Sequence, residues 1–243
     1  MYVHKYITHE EILKAAKLSE LAYKKQSEIP ENFEGLDLLK FVDNGNTEMC
    51  IFKDAPNNTI YVAFRGSSEF NDFLADATFV PRSFMNTVAH RGFTKAFLEI
   101  KQDMVDVVSD SVKSGGDNAP KIILTGHSLG GSLANLALYF FLAIDYKNAW
   151  LVSFGSPKIF YANKLTAIHD EFKKRAIRIC FSDDAVTNMP PVTPIMKLFK
   201  RVYTHIGQHW SMGIKNASGQ FNDHKIKGYI SILTEEVKNH ENV

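Results

Sequence analysis

The segment Gly126-His127-Ser128-Leu129-Gly130-Gly131 follows directly on Lys121-Ile122-Ile123-Leu124-Thr125 and leads into Ser132-Leu133-Ala134-Asn135-Leu136-Ala137-Leu138. The first flank is apolar, β-branched and of strand length, and the second is rich in alanine and leucine, so the spacing predicts strand, sharp turn and helix. A G-x-S-x-G turn in that setting is a nucleophile elbow, whose glycines permit a strained backbone that lifts the serine hydroxyl into the open. Ser128 is therefore the candidate nucleophile.

A serine hydroxyl attacks poorly at neutral pH unless a histidine takes its proton and a carboxylate orients that histidine. Hydrolases built on this elbow carry the three in the order Ser, Asp or Glu, His. Of the nine histidines, that order sets aside His4, His9, His90 and His127, and His169 falls on a predicted charged helix. His205, His209, His224 and His240 remain. His240 stands in a polar tail, and His205 and His209 lead into a probable strand. His224 ends the turn Gly219-Gln220-Phe221-Asn222-Asp223-His224 before a terminal helix, the setting expected of a catalytic base. For the carboxylate, Asp183 and Asp184 both follow the strand Ile177–Phe181, and spacing does not choose between them. The oxyanion of the attacked carbonyl needs donors. The amide of Leu129 supplies one, and Ser67, in Gly66-Ser67-Ser68 at the end of a neighbouring strand, offers another.

The elements that must hold these residues are legible along the chain. Thr8 and Glu11 form a capping box before an amphipathic helix that presents Ile12, Ala15, Ala16, Ser19, Ala22 and Tyr23. Runs 36–42, 49–53 and 59–65 read as an antiparallel meander broken by the turns Asp43-Asn44-Gly45-Asn46 and Ala55-Pro56-Asn57-Asn58. A helix is expected over 92–113, then the elbow, a strand over 149–154, a helix over 163–174, a strand over 177–181 and a last helix over 224–238. Alternating strands and helices give a mostly parallel sheet covered on both faces, with function at the carboxyl ends of the strands. The expectation is an α/β chain forming one domain over residues 1–243.

With 28 basic and 27 acidic residues spread along the sequence, nothing marks a nucleic-acid footprint. No apolar run reaches the roughly 20 residues needed to span a bilayer, and the first residues lack the apolar core of a signal peptide. Cys50 and Cys180 each sit in an apolar run that suits a buried thiol better than a disulfide, which points to a reducing compartment. The sequons at Asn57 and Asn216 pull the other way, so location stays open. No ligand spacing for zinc or calcium is present, and neither metal nor cofactor is expected.

The elbow, Arg65-Gly66-Ser67-Ser68, His90-Arg91-Gly92-Phe93, Phe154-Gly155-Ser156-Pro157 and Asp184-Ala185-Val186 before Pro190-Pro191 together resemble the fungal, or class 3, lipase family. That resemblance implies an α/β-hydrolase fold and a triad of Ser128, Asp184 and His224, with Ser67 and Leu129 as the oxyanion residues. Thr187 stands where the family usually has proline, and the cysteines do not match the disulfides of secreted fungal members. Between Ser68 and Pro81, Phe70, Phe73, Leu74 and Ala77 fall at helical spacing on one face. By position the segment 69–80 resembles the family's lid, with Phe70, Phe73, Leu74 and Phe79 as its apolar and substrate-facing residues. The resemblance implies hydrolysis of acylglycerol esters at a lipid–water interface. A feruloyl-type esterase, a phospholipase A1 and an inactive lipid-binding homologue are the alternatives.

Overall fold

The structure, a computed structural model, describes residues 4–66, 80–164, 166–182, 184–192, 194, 198, 202–212 and 224–241. Ser67, Phe70, Phe73, Leu74 and Phe79, with the rest of the expected oxyanion loop and lid through residue 79, lie outside the described residues, as does Asp183.

Helix α1 (His9–Leu21) begins at the expected capping box, with Thr8 and Glu11 exchanging side-chain and backbone bonds. Lys121 Nζ reaches Glu11 Oε1 and the Tyr6 carbonyl, each at 2.7 Å, and so fastens this end of the helix to the sheet. The meander is present as β1 (Asn32–Phe33), β2 (Leu36–Asp43), β3 (Glu48–Asp54) and β4 (Thr59–Phe64), all antiparallel. A hairpin of β5 (Pro81–Phe84) and β6 (Thr87–His90) leads into α2 (Arg91–Gly115), followed by β7 (Lys121–His127) and α3 (Leu129–Ala143). Then come β8 (Ala149–Phe154), β9 (Phe160–Tyr161), α4 (Ile168–Arg175), β10 (Ala176–Phe181), β11 (Tyr203–Thr204), β12 (Gln208–Met212) and α5 (Ile226–Glu241).

The main sheet has the order β1-β2-β3-β4-β7-β8-β10-β12, parallel from β4 onwards. Its central strands are buried on both faces, which is why β4 (TIYVAF) and β8 (AWLVSF) are continuous apolar runs rather than alternating ones. One core lies between the sheet and α2, α3 and α4, around Phe97, Met104, Leu133 and Phe172. The other lies under α1 and α5, around Leu18, Phe52, Phe154 and Tyr229. A second, four-stranded sheet, β11-β9-β6-β5, was not expected from the sequence.

Helix α4 starts later than expected, at Ile168, after a separate 3-10 turn at Ala162–Lys164. The Thr166 amide donates to His169 Nδ1 over 2.6 Å, so this histidine folds back on the segment before the helix and is buried beside Tyr139 and Phe160.

Candidate active site

Ser128 is the one residue between β7 and α3, with φ +57° and ψ −124°. A non-glycine residue at positive φ is disfavoured, and here the surroundings hold it. The Ser128 amide donates to the Phe154 carbonyl at the end of β8 over 2.9 Å. A Cβ at Gly126 would run into the backbone of Gly130, and one at Gly130 into the Phe64 carbonyl, so the turn closes only with hydrogen at both positions. The Ser128 side chain is buried, and its Oγ makes no hydrogen bond among the described residues. Leu129 opens α3, and the first amides of a helix have no intrahelical acceptor and carry the positive end of its dipole. The backbone therefore presents donors beside Ser128 Oγ.

Asp184 follows β10 and caps the turn Ala185–Asn188, its Oδ1 accepting from the Val186 amide at 3.0 Å. Its Oδ2 lies 2.7 Å from His224 Nδ1, two residues before α5, and accepts the Tyr229 hydroxyl at 3.3 Å. Both oxygens of this buried carboxylate have partners, and because an ionised carboxylate only accepts, the facing Nδ1 carries the ring proton and Nε2 is left as the acceptor nitrogen. Gly155, with φ +54°, makes room for the pair: a Cβ there would stand 2.8 Å from both Asp184 Oδ2 and His224 Cε1. The strand ends of β7, β8 and β10 thus bring Ser128, Asp184 and His224 to one edge of the sheet.

His205 is elsewhere. Its Nε2 lies 2.7 Å from the Thr187 carbonyl, and burial, reinforced by Arg178, lowers its pKa to about 3. His209 contacts Cys180 Sγ at 2.8 Å. Neither takes part in the Asp184 pair.

Ser67 lies outside the described residues, but the strand leading to it does not. In β4, Phe64 pairs with Gly126, and a Cβ on Gly66 would meet the Tyr23 hydroxyl and, at 2.7 Å, the His127 carbonyl.

Two groups in the site escaped the sequence reading. The Tyr23 hydroxyl lies 2.9 Å from His127 Nδ1, and the His127 ring packs against His224 with centroids 4.4 Å apart. Burial raises the Tyr23 pKa, so the phenol stays protonated. Burial, and secondarily the neighbouring His224, drives the His127 pKa well below the ordinary value and keeps its ring neutral. Tyr229 occupies a core position of α5, where only its hydroxyl hinted at a polar partner.

Known proteins place this fold. The family model described as "Lipase (class 3)" matches residues 61–193, more than half of the chain. A lipase of Rhizomucor miehei is 31% identical over 156 residues, 60% of this chain and 41% of that protein. The secreted mono- and diacylglycerol lipase A of Penicillium camembertii is 26% identical over 185 residues, 74% of this chain and 57% of that protein. The chain thus spans about half the length of these relatives. The solved structure of the Rhizomucor miehei triacylglyceride lipase superposes with a TM-score of 0.68 at 26% identity, covering 83% of this chain and 79% of that one. The mostly parallel sheet, the elbow between β7 and α3 and the family match together place this chain, with its α/β-hydrolase fold, in the class 3 lipase family.

Proposed function

We propose that the chain is a serine hydrolase of acylglycerol esters. The observation that carries this reading is the 2.7 Å bond between His224 Nδ1 and Asp184 Oδ2, set at the same sheet edge as the strained Ser128. In the first half-reaction His224 Nε2 takes the Ser128 proton while Oγ bonds to the substrate carbonyl carbon. Asp184 keeps the ring's orientation and stabilises the imidazolium that forms. The developing oxyanion is received by the Leu129 amide and by Ser67. His224 then returns the proton to the departing glycerol oxygen, leaving an acyl-Ser128 ester. Water, deprotonated by the same ring, attacks that ester; the acyl–Oγ bond breaks, the ring returns the proton to Ser128 Oγ, and the fatty acid leaves.

Acylglycerols are favoured as substrates by the relatives, one described as a mono- and diacylglycerol lipase and one as a triacylglyceride lipase. The apolar stripe Phe70, Phe73 and Leu74, with Phe79, supports a lid that shields Ser128 in water and opens where a lipid surface receives its apolar face.

The test pairs a fluorophosphonate probe with an emulsion assay. The probe is expected to label wild-type Ser128 and not Ser128→Ala, whose kcat falls by about 10⁶. Activity on emulsified acylglycerols should exceed that on dissolved short esters. Unlabelled wild-type protein rejects the hydrolase reading, and equal rates on dissolved and emulsified substrate reject the lid.

A further inference from the structure

Ser153 on β8, Arg178 on β10 and His209 on β12 are register partners across three parallel strands. Partners in register project from the same face, and neighbouring strands lie about 4.8 Å apart. Their chain neighbours Val152, Phe154, Ile177, Ile179 and Trp210 enter the core under α1 and α5, so this polar row points to the opposite face. Ser153 is completely buried, yet its Oγ has no hydrogen-bond partner among the described residues. Arg178 Nε is equally enclosed and equally unpartnered, and among the described residues no carboxylate forms an ion pair with this guanidinium.

The groups around the row do not offset its charge. Lys158 Nζ donates to the Asn188 carbonyl over 2.7 Å, and His205 Nε2 meets the Thr187 carbonyl, so both are tied to the turn beyond β10. Burial lowers the pKa of Lys158, His205 and His209, and Arg178 lowers each further, while nearby Cys180 has its thiol pKa raised by burial and stays neutral. A half-buried arginine beside Lys158 and neutral imidazoles, with no ion-paired carboxylate among the described residues, is costly in an isolated fold. A water molecule could satisfy Ser153 and Arg178 Nε but would leave the charge. An oxyanion with several oxygens would satisfy both, since a guanidinium binds such groups through two parallel bonds.

We propose that Arg178, Ser153, Lys158 and His209 form a binding site for a phosphate-class oxyanion, separate from Ser128. The ligand is free phosphate or the phosphate of a lipid headgroup. Titration of the full chain with inorganic phosphate, by calorimetry and by thermal unfolding against chloride at matched ionic strength, tests the site. Saturable binding with a rise in Tm is expected, unchanged in Ser128→Ala. Arg178→Met should weaken it roughly tenfold or more, and Ser153→Ala by less. Arg178→Met also removes an unpaired charge, so its Tm in chloride should equal or exceed that of the wild type. If that variant fails to fold, His209→Gln and Ser153→Ala together carry the same comparison. Sedimentation with phosphatidylcholine vesicles, with and without phosphatidic acid, separates the sources. Gain with phosphatidic acid that is lost in Arg178→Met assigns the headgroup, and binding of inorganic phosphate with no such gain assigns the free ion. A phosphate effect no greater than that of chloride, or one that Arg178→Met retains, overturns the site and leaves water in it.

Discussion

Tyr23 reaches the site from the end of α1 and touches two of its parts with one oxygen. That oxygen bonds His127 and leaves room for Gly66 only because residue 66 has no Cβ. Bonded to the phenol through Nδ1, the neutral His127 ring presents an uncharged face to His224. In the proposed mechanism that face lies against the imidazolium formed during acylation. Tyr23 is accordingly a positioning residue. Tyr23→Phe removes one neutral hydrogen bond, worth about 0.5–1.5 kcal/mol, and kcat on a dissolved ester is expected to fall about three- to tenfold with KM little changed. A drop in Tm with kcat intact would mean that the bond serves packing alone. No spacing rule connects residues 104 positions apart, and so this pair was invisible in the sequence. The choice between Asp183 and Asp184 was closed to spacing for a related reason: adjacent residues at a strand end differ in direction, not in distance along the chain.

At the scale of elements, the site rests on the last residues of parallel strands, and Gly155 is the tightest of these joints. Gly155→Ala would place a methyl group 2.8 Å from Asp184 Oδ2 and from His224 Cε1 at a positive φ. The pair must part, and misplacement of catalytic groups by about 1 Å costs on the order of 10² in rate. Turnover by Gly155→Ala is expected to fall at least that far while the sheet persists by circular dichroism; wild-type turnover would show that the pair can shift without loss. The elements that were legible are those whose burial writes a pattern. β4, β7 and β8 are unbroken apolar runs between turns, and α2 shows its buried Phe93, Phe97, Ile100 and Met104 at helical spacing. The small sheet left no such trace. β9 and β11 have two residues each, too few to display a period, and β9 pairs with β11 and β6 from distant parts of the chain. In α4 the expected charged helix is present, but it starts later, and the contact of Thr166 with His169 turns that one ring inward.

For the molecule as a whole, buried histidines set the response to acid. Burial holds His90 at about 4 and His205 at about 3, and His127 well below the ordinary 6.5, so the folded protein keeps them neutral. The unfolded chain binds protons at these positions below about pH 6.5. Between the folded and unfolded values the unfolded state carries more protons, and stability therefore falls as pH falls. Each histidine adds up to about 1.4 kcal/mol per pH unit in that window. The urea midpoint is expected to drop steadily from about pH 7 to about pH 5, and His205→Asn should flatten the decline. A midpoint unchanged over that range would show these rings to be protonated in the native state.

The pairing of α1 with α5 carries a consequence for biosynthesis. These helices come from opposite ends of the sequence yet share one core, with Leu18 and Leu233 both inside it and Lys227 Nζ 3.9 Å from Glu20. His224 is delivered only when α5 docks. A nascent chain leaving the ribosome therefore exposes its elbow serine and its aspartate while the base is still unmade. On the proposed mechanism, ester-cleaving power arrives only once α5 is in place, so chains that stop short of it are chemically inert towards any lipid they meet.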